Sequence, residues 1–369
     1  LMSGVLNSLG KFSAAAATPI LLNACLIGAM IWLENFTSTP AHALAWGVAI
    51  AGAVQFLWLL FCMSKTGIRL RLRAPRLSPP IKELLRRIFP AAIGAGVYQI
   101  SLLIDTIVAS LLPSGSISYL FFADRVNQLP MGMVGVAVGT ALLPMLSRQV
   151  RVGDNVAVNN SQNRAIDFTL FLSLPAATAL IVIAVPIIST LFERGAFGPA
   201  ETMSTASALA VYAIGLPAYV LVKALATVYF AREDTITPVK IGLLAVIVNL
   251  ILNLILMKPF QHLGIAAATS ASAWLNAGLL AIILSRRGQF SIDVRLKSRL
   301  PLILIACLIM GIFLYLGLYG LDYMLIGNQF EKTIALFILV GGGLIIYITL
   351  AFAFGLLSKE DLAKILRKN

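Results

Sequence analysis

The sequence predicts an all-α polytopic membrane protein with about ten transmembrane helices. Of its 369 residues, 59% are hydrophobic and only 12% are charged, whereas a soluble domain carries about 25% charged residues. So few charges cannot cover a water-facing surface of this size. The basic residues also fall in short loops between long apolar runs. The net charge of +13 therefore indicates a membrane topology signal, and we expect no nucleic-acid partner.

Long apolar runs define the predicted spans. A helix that crosses the hydrocarbon layer needs about 20 apolar residues, and lipid offers its backbone no other hydrogen-bond partners. The predicted spans are about 13–33, 42–63, 88–111, 118–146, 165–192, 203–230, 237–257, 263–285, 300–320 and 333–357. Prolines within them are predicted to kink the helices without ending them. These are Pro130, Pro144, Pro175, Pro186 and Pro217.

The distribution of charge orients the chain. Most of the 28 Lys and Arg residues lie in loops on one side, and the opposite loops hold only Arg194, Lys258 and Lys332. The basic loops and the C-terminus are therefore predicted to be cytoplasmic. The longest basic loop, 64–87, is the predicted boundary between two halves. Within it, 81–88 is either a short interfacial amphipathic helix or a charge anchor.

Two segments of the chain resemble one another. Residues 1–33 and 221–253 each contain the end of an apolar helix, a loop with a basic residue, and a Thr-Pro pair that opens the next span. The two copies begin on the same side, as in the halves of many transporters. Four predicted spans, from about 88 to 230, lead into the second copy within its half of the chain, and none precedes the first copy. We therefore expect about four further helices before Leu1.

An arginine and an aspartate adjoin one another inside the span at 118–146. Ionisable residues at this depth are costly and mark functional sites by default. Arg125 is the candidate pyrophosphate ligand, because a guanidinium grips phosphate oxygens with a planar fork and stays charged. Asp124 is the candidate residue that positions it. The alternative for Arg125 is a structural ion pair. Lys223, inside 203–230, either faces a cavity or extends to the cytoplasmic interface.

A second polar set is distributed over three predicted spans. Asp105 is the carboxylate, Asn249 and Asn253 lie four residues apart on one helix face, and Thr269 lies on the following span. One carboxylate with amide and hydroxyl oxygens suits Na⁺ or a titrating proton as a coupling ion. The alternative is that the asparagines only hydrogen-bond helices together. Cys25, Cys62 and Cys307 have no metal or disulfide spacing, and no acid–base pair or other metal or cofactor motif suggests an enzyme.

The run at 99–148, QISLLIDTIVASLLPSGSISYLFFADRVNQLPMGMVGVAVGTALLPMLSR, resembles the MurJ (MviN) family of lipid II flippases. ATPILLN at 17–23 and REDTITPVKIG at 232–242 resemble the same family. The resemblance implies the fourteen-helix MOP exporter fold, with two six-helix lobes and two extra C-terminal helices. Residues 1–63 would end the N-terminal lobe, 64–87 would be the inter-lobe loop, 88–285 the C-terminal lobe, and 286–369 the extra helices and cytoplasmic tail.

The resemblance also implies a function. The protein would flip lipid II, an undecaprenyl-pyrophosphate-linked peptidoglycan precursor, from the inner to the outer leaflet of the bacterial cytoplasmic membrane by alternating access. Arg125 carries over from the family motif as the pyrophosphate ligand. Lipid II, membrane lipids and cell-wall synthesis proteins are the implied partners. The alternatives are a related exporter of drugs or another polyprenyl-linked glycan, and a polyprenyl-handling enzyme such as a glycan polymerase.

Overall fold

A computed structural model of the chain describes residues 2–66, 82 and 99–357. Apart from one isolated bridge between Arg194 and Phe197, the regular structure in these residues is helical, which confirms the predicted all-α class. The chain divides into two compact units, Leu1–Pro79 and Pro80–Asn369. The assignment of these units to lobes stays a prediction.

The first unit packs two longer helices against each other. Its elements are α1 (Met2–Ser8), α2 (Phe12–Ala16), α3 (Thr18–Trp32), a 3₁₀ turn (Glu34–Phe36) and α4 (Pro40–Ser64). Polar side chains of α4 return to the start of α3: Gln55 Nε2 donates to the Thr18 carbonyl at 2.8 Å and Trp58 Nε1 to the Ala14 carbonyl at 3.0 Å. These bonds supply partners to backbone groups at the junction of α2 and α3.

The second unit is a bundle built around one long helix. Its elements are α5 (Gln99–Ser110), α6 (Ser116–Val152), α7 (Asn155–Val182), α8 (Ala184–Phe192), α9 (Pro199–Ala231), α10 (Ile236–Phe260), α11 (His262–Arg286), α12 (Val294–Gly320), α13 (Asp322–Ile326) and α14 (Gln329–Ala353). Helix α9 packs against α6, α7, α8 and α11. The buried hydroxyl of Tyr229 in α9 donates to the Leu280 carbonyl of α11 at 2.9 Å. Helix α9 is therefore the core of this unit.

The predicted spans agree with most of the observed helices. Among the described residues, 8 helices are long and apolar enough to cross a membrane, and each overlaps one predicted span. Of the other two predictions, 118–146 lies within α6, whereas 88–111 is described only over α5. The boundary loop at 64–87 and the amphipathic segment at 81–88 lie largely outside the described residues. The protein is a multi-pass membrane protein, and its full helix count stays a prediction.

One predicted span is wrong in detail. The segment at 165–192 is not one helix, because α7 ends at Val182 and α8 begins at Ala184. Pro186 lies in the first turn of α8, where its missing N–H costs nothing, but in a continuous helix its ring would clash with the carbonyl of Val182. The other four prolines lie inside α6, α7 and α9 without ending them, as the lipid argument predicts.

Two ion pairs attach the C-terminal helices to the rest of the second unit. The basic end of this unit is the end where its basic loops lie. There, Arg299 Nε lies 2.9 Å from Asp167 Oδ2 on α7, and Arg299 Nη2 donates to the Leu356 carbonyl at 2.7 Å. At the opposite end, Lys332 Nζ lies 2.9 Å from Glu193 Oε1. This hydrogen bond from Lys332 is the main reason that the pKa of Glu193 is lowered. Helix α12 is therefore attached to the bundle at the basic end, and α14 is attached at the opposite end.

We predict that Arg299→Met destabilises the second unit by about 3–5 kcal/mol, because it leaves the buried Asp167 carboxylate without a counter-charge. The measurement is thermal unfolding of the purified protein in detergent, followed by circular dichroism. The matched control is Arg164→Met. Its pair with Asp293 is long, at 3.9 Å, and the arginine side chain is 46% exposed, so the expected loss is below about 1 kcal/mol. Equal shifts in Tm for the two variants would contradict the prediction.

Candidate functional site

Three helices of the second unit bring one carboxylate and three uncharged polar side chains together. Asn253 Nδ2 on α10 donates to Asp105 Oδ1 on α5 at 2.6 Å. Thr269 Oγ1 on α11 donates to Asp105 Oδ2 at 3.3 Å. Asn249 lies in the same group, since its Oδ1 accepts from Asn253 Nδ2 at 3.1 Å and its Nδ2 donates to Thr269 Oγ1 at 3.3 Å. The structure thus assembles all four residues proposed from the sequence.

The local fold explains why these residues meet. Asn249 and Asn253 are one helical turn apart and are 1% and 0% exposed, so both face the interior of the bundle. Helices α10 and α11 form a hairpin that turns at Gln261, whose φ of 51° is left-handed. The hairpin returns α11 along α10, so that Thr269 lies beside Asn249. Helix α5 then supplies the carboxylate of Asp105. No lysine or arginine side chain forms an ion pair with Asp105 among the described residues.

The arrangement has the chemistry of a small-cation or proton site. Carboxylate, amide and hydroxyl oxygens are the ligands that hard cations prefer. The side-chain oxygen of Asn253 is buried and has no hydrogen-bond partner among the described residues. A buried carbonyl oxygen without a partner costs free energy unless a donor or cation satisfies it. The hydrogen bonds of the two asparagine side chains also join α5, α10 and α11. The interhelical role proposed as the alternative is therefore present as well.

The close packing of α10 against α11 beside their turn requires a glycine at position 264. A Cβ at Gly264 would lie 2.3 Å from the backbone oxygen of Leu256, so we predict that Gly264→Ala destabilises the protein by about 1–3 kcal/mol through overpacking. The control is Gly278→Ala on the same helix, where nothing lies within 4 Å and alanine should be neutral or stabilising by about 0.5–1 kcal/mol. Thermal unfolding of both variants measures the difference, and a stabilised Gly264→Ala would contradict the prediction.

Arg125 lies on α6 with its side chain exposed. Its guanidinium carbon lies 4.7 Å from the centroid of the Phe121 ring, one turn earlier, and a cation over an aromatic face is held without losing its charge. None of the ion pairs among the described residues includes Arg125. The described residues therefore show no structural ion pair of Arg125, and its role as a pyrophosphate ligand stays a prediction.

The Asp124 carboxylate is hydrogen-bonded within its own helix, and its role in positioning Arg125 stays a prediction. Its Oδ2 accepts a hydrogen bond from Gln128 Nε2, one turn later on the same helix, so the carboxylate is held by Gln128 and forms no ion pair with Arg125 among the described contacts. Adjacent residues on a helix diverge by about 100°, which explains the separation. The spacing of four residues between Asp124 and Gln128 is the sequence signal that identifies this pair.

Lys223 lies on α9 and its side chain is exposed. It is eight residues before the end of α9 at Ala231, about 12 Å at 1.5 Å per residue. A lysine side chain there can extend toward the basic end of the bundle. No described hydrogen bond or ion pair joins Lys223 to Arg125 or to Asp105, so its assignment as a cavity residue stays a prediction.

A bundle of long apolar helices that encloses a carboxylate–amide cluster and presents an arginine from within a span has the features of a membrane transporter. The fold resembles that of an inward-facing multidrug resistance MATE family transporter of the MOP superfamily, with a TM-score of 0.66 and 15% identity over 80% of this chain and 68% of that one. A lipid II flippase MurJ in an inward closed conformation is more similar, with a TM-score of 0.76 and 27% identity over 96% of this chain and 70% of that one.

The sequence comparisons define the family. Residues 1–336 match the model of the family described as lipid II flippase MurJ. A probable lipid II flippase MurJ of Rhizobium meliloti (strain 1021) is 43% identical over 96% of this chain and 67% of the relative. Another, of Rickettsia prowazekii (strain Madrid E), is 36% identical over 88% of this chain and 64% of the relative. The chain belongs to the lipid II flippase MurJ family.

Membership confirms the family resemblance that residues 99–148 carry, and it confirms a transporter rather than an enzyme. The chain spans about two thirds of the length of these relatives. The expectation of four helices before Leu1 stays a prediction.

Proposed function

We propose that the protein flips lipid II from the inner to the outer leaflet of the bacterial cytoplasmic membrane, with its basic loops and C-terminus in the cytoplasm. The family membership of residues 1–336 supports the substrate. The observation that carries the proposal to individual residues is the exposed guanidinium of Arg125 on α6, which no described ion pair neutralises. Lipid II carries a pyrophosphate, and an arginine binds that group with a planar fork of donors.

The proposed mechanism is alternating access in the fourteen-helix MOP exporter fold. Two six-helix lobes would rock about a central cavity and expose it to each side of the membrane in turn. Arg125 would hold the pyrophosphate in that cavity, and Lys223 would add positive charge nearer the cytoplasmic side. Helices α12 and α14 would lie beside the second lobe and line a groove for the polyprenyl tail. Proteins of cell-wall synthesis would receive the flipped lipid.

The Asp105 cluster is proposed to couple transport to a cation. Asp105 with Asn249, Asn253 and Thr269 would bind Na⁺, or Asp105 would take up a proton. Binding neutralises a carboxylate inside the membrane, where an uncompensated charge is costly, and it satisfies the unpartnered oxygen of Asn253. Because the four residues come from α5, α10 and α11, neutralisation would alter how these three helices pack. That packing change is the proposed link to the rocking motion.

Cells depleted of their own lipid II flippase test the function. Expression of the gene that encodes this chain should restore growth, and it should restore the labelled lipid II that an externally added enzyme can reach on the outer leaflet. Restored growth without outer-leaflet lipid II would contradict flipping. A drug exporter of the same fold would instead lower accumulation of a fluorescent drug in these cells without restoring growth.

A further inference from the structure

An open cavity with polar and apolar lining lies at the basic end of the second unit, away from the residues considered so far. Its volume is about 280 Å³, room for roughly nine water molecules at about 30 Å³ each. It forms where the start of α7, the end of α9 and the α11–α12 loop meet. The residues that line it are Asn155, Val156, Asn159, Asn160, Arg232, Gly288, Gln289, Phe290 and Ser291.

Arg232 is the charged residue of this cavity. It caps the C-terminus of α9, and its Nε is buried without a hydrogen-bond partner among the described residues. Burial lowers the pKa of the Arg232 guanidinium, because desolvation disfavours the charged form. A half-buried cation of this kind is costly unless an anion accompanies it.

Two acids near Arg232, Asp234 and Asp293, are already paired, whereas Glu233 is exposed and forms no described ion pair. Asp234 accepts from Arg287 Nη1 at 2.7 Å and from Thr237 Oγ1 at 2.7 Å. Asp293 pairs with Arg164 at 3.9 Å and caps α12 through the Leu296 N–H. No described ion pair includes Arg232. The described ion pairs therefore leave the positive charge of this cavity unpaired.

The uncharged lining supplies both donors and an acceptor. Asn159 Oδ1 is occupied by the Ser291 N–H at 2.9 Å, which leaves its amide nitrogen as a donor. Asn155 lies one turn before Asn159 on the same face of α7. Gln289 Oε1 is a buried acceptor without a partner among the described residues. An unsatisfied donor on Arg232 and an unsatisfied acceptor on Gln289 in one cavity match a ligand that carries an oxyanion and a hydrogen-bond donor together.

We propose that this cavity binds a phospholipid headgroup, with the phosphate on Arg232 and the headgroup's hydroxyl or ammonium donating to Gln289. A lipid fits better than free phosphate because the cavity lies at the ends of helices that span the membrane. Its lining includes Val156, an apolar side chain that is 73% exposed, and that apolar edge would contact the glycerol and upper acyl chain. Phosphatidylglycerol has both the phosphate and the hydroxyl donors.

Native mass spectrometry of the purified full chain, loaded from mixed micelles with phosphatidylglycerol or phosphatidylcholine, tests the proposal. Phosphatidylcholine has the phosphate but no headgroup donor, so the phosphatidylglycerol adduct should predominate. Arg232→Gln should lower that adduct by about tenfold or more, since a charge-assisted hydrogen bond is lost. Arg295→Gln removes another arginine, whose exposed side chain forms no described contact, and it should leave the adduct unchanged.

Each result decides the proposal. An equal loss in both arginine variants indicates general charge attraction and overturns it. Displacement of the adduct by millimolar inorganic phosphate identifies a free-phosphate site and also overturns it. If Arg232→Gln does not fold, Gln289→Ala replaces it, and that variant should abolish the preference for phosphatidylglycerol over phosphatidylcholine. An unchanged preference in Gln289→Ala would overturn the role of the acceptor.

Discussion

Arg125→Ala is expected to lower lipid II flipping by roughly ten- to a hundredfold. The estimate follows from the loss of charge-assisted hydrogen bonds, worth about 1.5–3 kcal/mol, with tenfold per 1.36 kcal/mol. No neighbour replaces the guanidinium, since the adjacent Asp124 is an acid bound to Gln128. The measurement is outer-leaflet lipid II in flippase-depleted cells that express the variant at the normal level.

A second variant separates the effect of the planar guanidinium from the effect of the charge at this position, and a third variant is the control. Arg125→Lys keeps the charge but loses the planar fork, so it should recover only part of the activity. Arg194→Ala removes an exposed arginine outside the predicted spans that hydrogen-bonds the Leu191 carbonyl at 2.7 Å, and flipping should be unchanged. Normal flipping by Arg125→Ala would exclude Arg125 as the pyrophosphate ligand.

Asp105→Asn is expected to abolish the cation dependence of transport. Asparagine has nearly the same shape as aspartate but no charge, so the cluster loses its only carboxylate and with it most of the attraction for a cation. We expect the apparent affinity for the coupling ion to fall by more than about tenfold, on the scale of tenfold per 1.36 kcal/mol. Flipping is measured in proteoliposomes while Na⁺ is varied at fixed pH, and then while pH is varied without Na⁺.

The two titrations distinguish the ions. Dependence on Na⁺ alone that disappears in Asp105→Asn assigns a sodium site, and dependence on pH alone that disappears assigns a proton. Asp322→Asn removes an exposed acid at the start of α13 and should leave both profiles unchanged. If Asp105→Asn keeps the normal response to both ions, the cluster does not couple transport.

Most of the helices could be predicted, because a helix that crosses a membrane needs an apolar run of about 20 residues, which is visible in the sequence. The composition of the Asp105 cluster could also be proposed from side-chain chemistry. Its geometry could not, because the contact between Asn253 and Asp105 spans 148 positions of sequence, and because the position of Thr269 depends on the turn at Gln261. Sequence spacing identifies neighbours on one helix, but it does not give the relative position of α5 and α10.

The ion pair of Asp167 and Arg299 shows a different limit. Asp167 lies within the predicted span at 165–192, and the rule that identifies Asp105 as costly in a membrane applies to it equally. The predicted span at 300–320 leaves Arg299 in a basic loop, whereas α12 begins at Val294 and carries the arginine inside the helix. A positive charge at a helix end satisfies the topology rule whether or not it has a partner, so charge counting alone could not reveal the pair.

The double attachment of α12 and α14 has a consequence for the route of a long hydrocarbon chain. Arg299 on α12 and Lys332 on α14 hold this pair of helices at opposite ends, to Asp167 on α7 and to Glu193, which follows α8. We expect a groove between the two helices to keep its width while other parts of the protein rearrange. If the polyprenyl tail lies in that groove, as proposed, the tail needs no gate, and only the polar head depends on a conformational change.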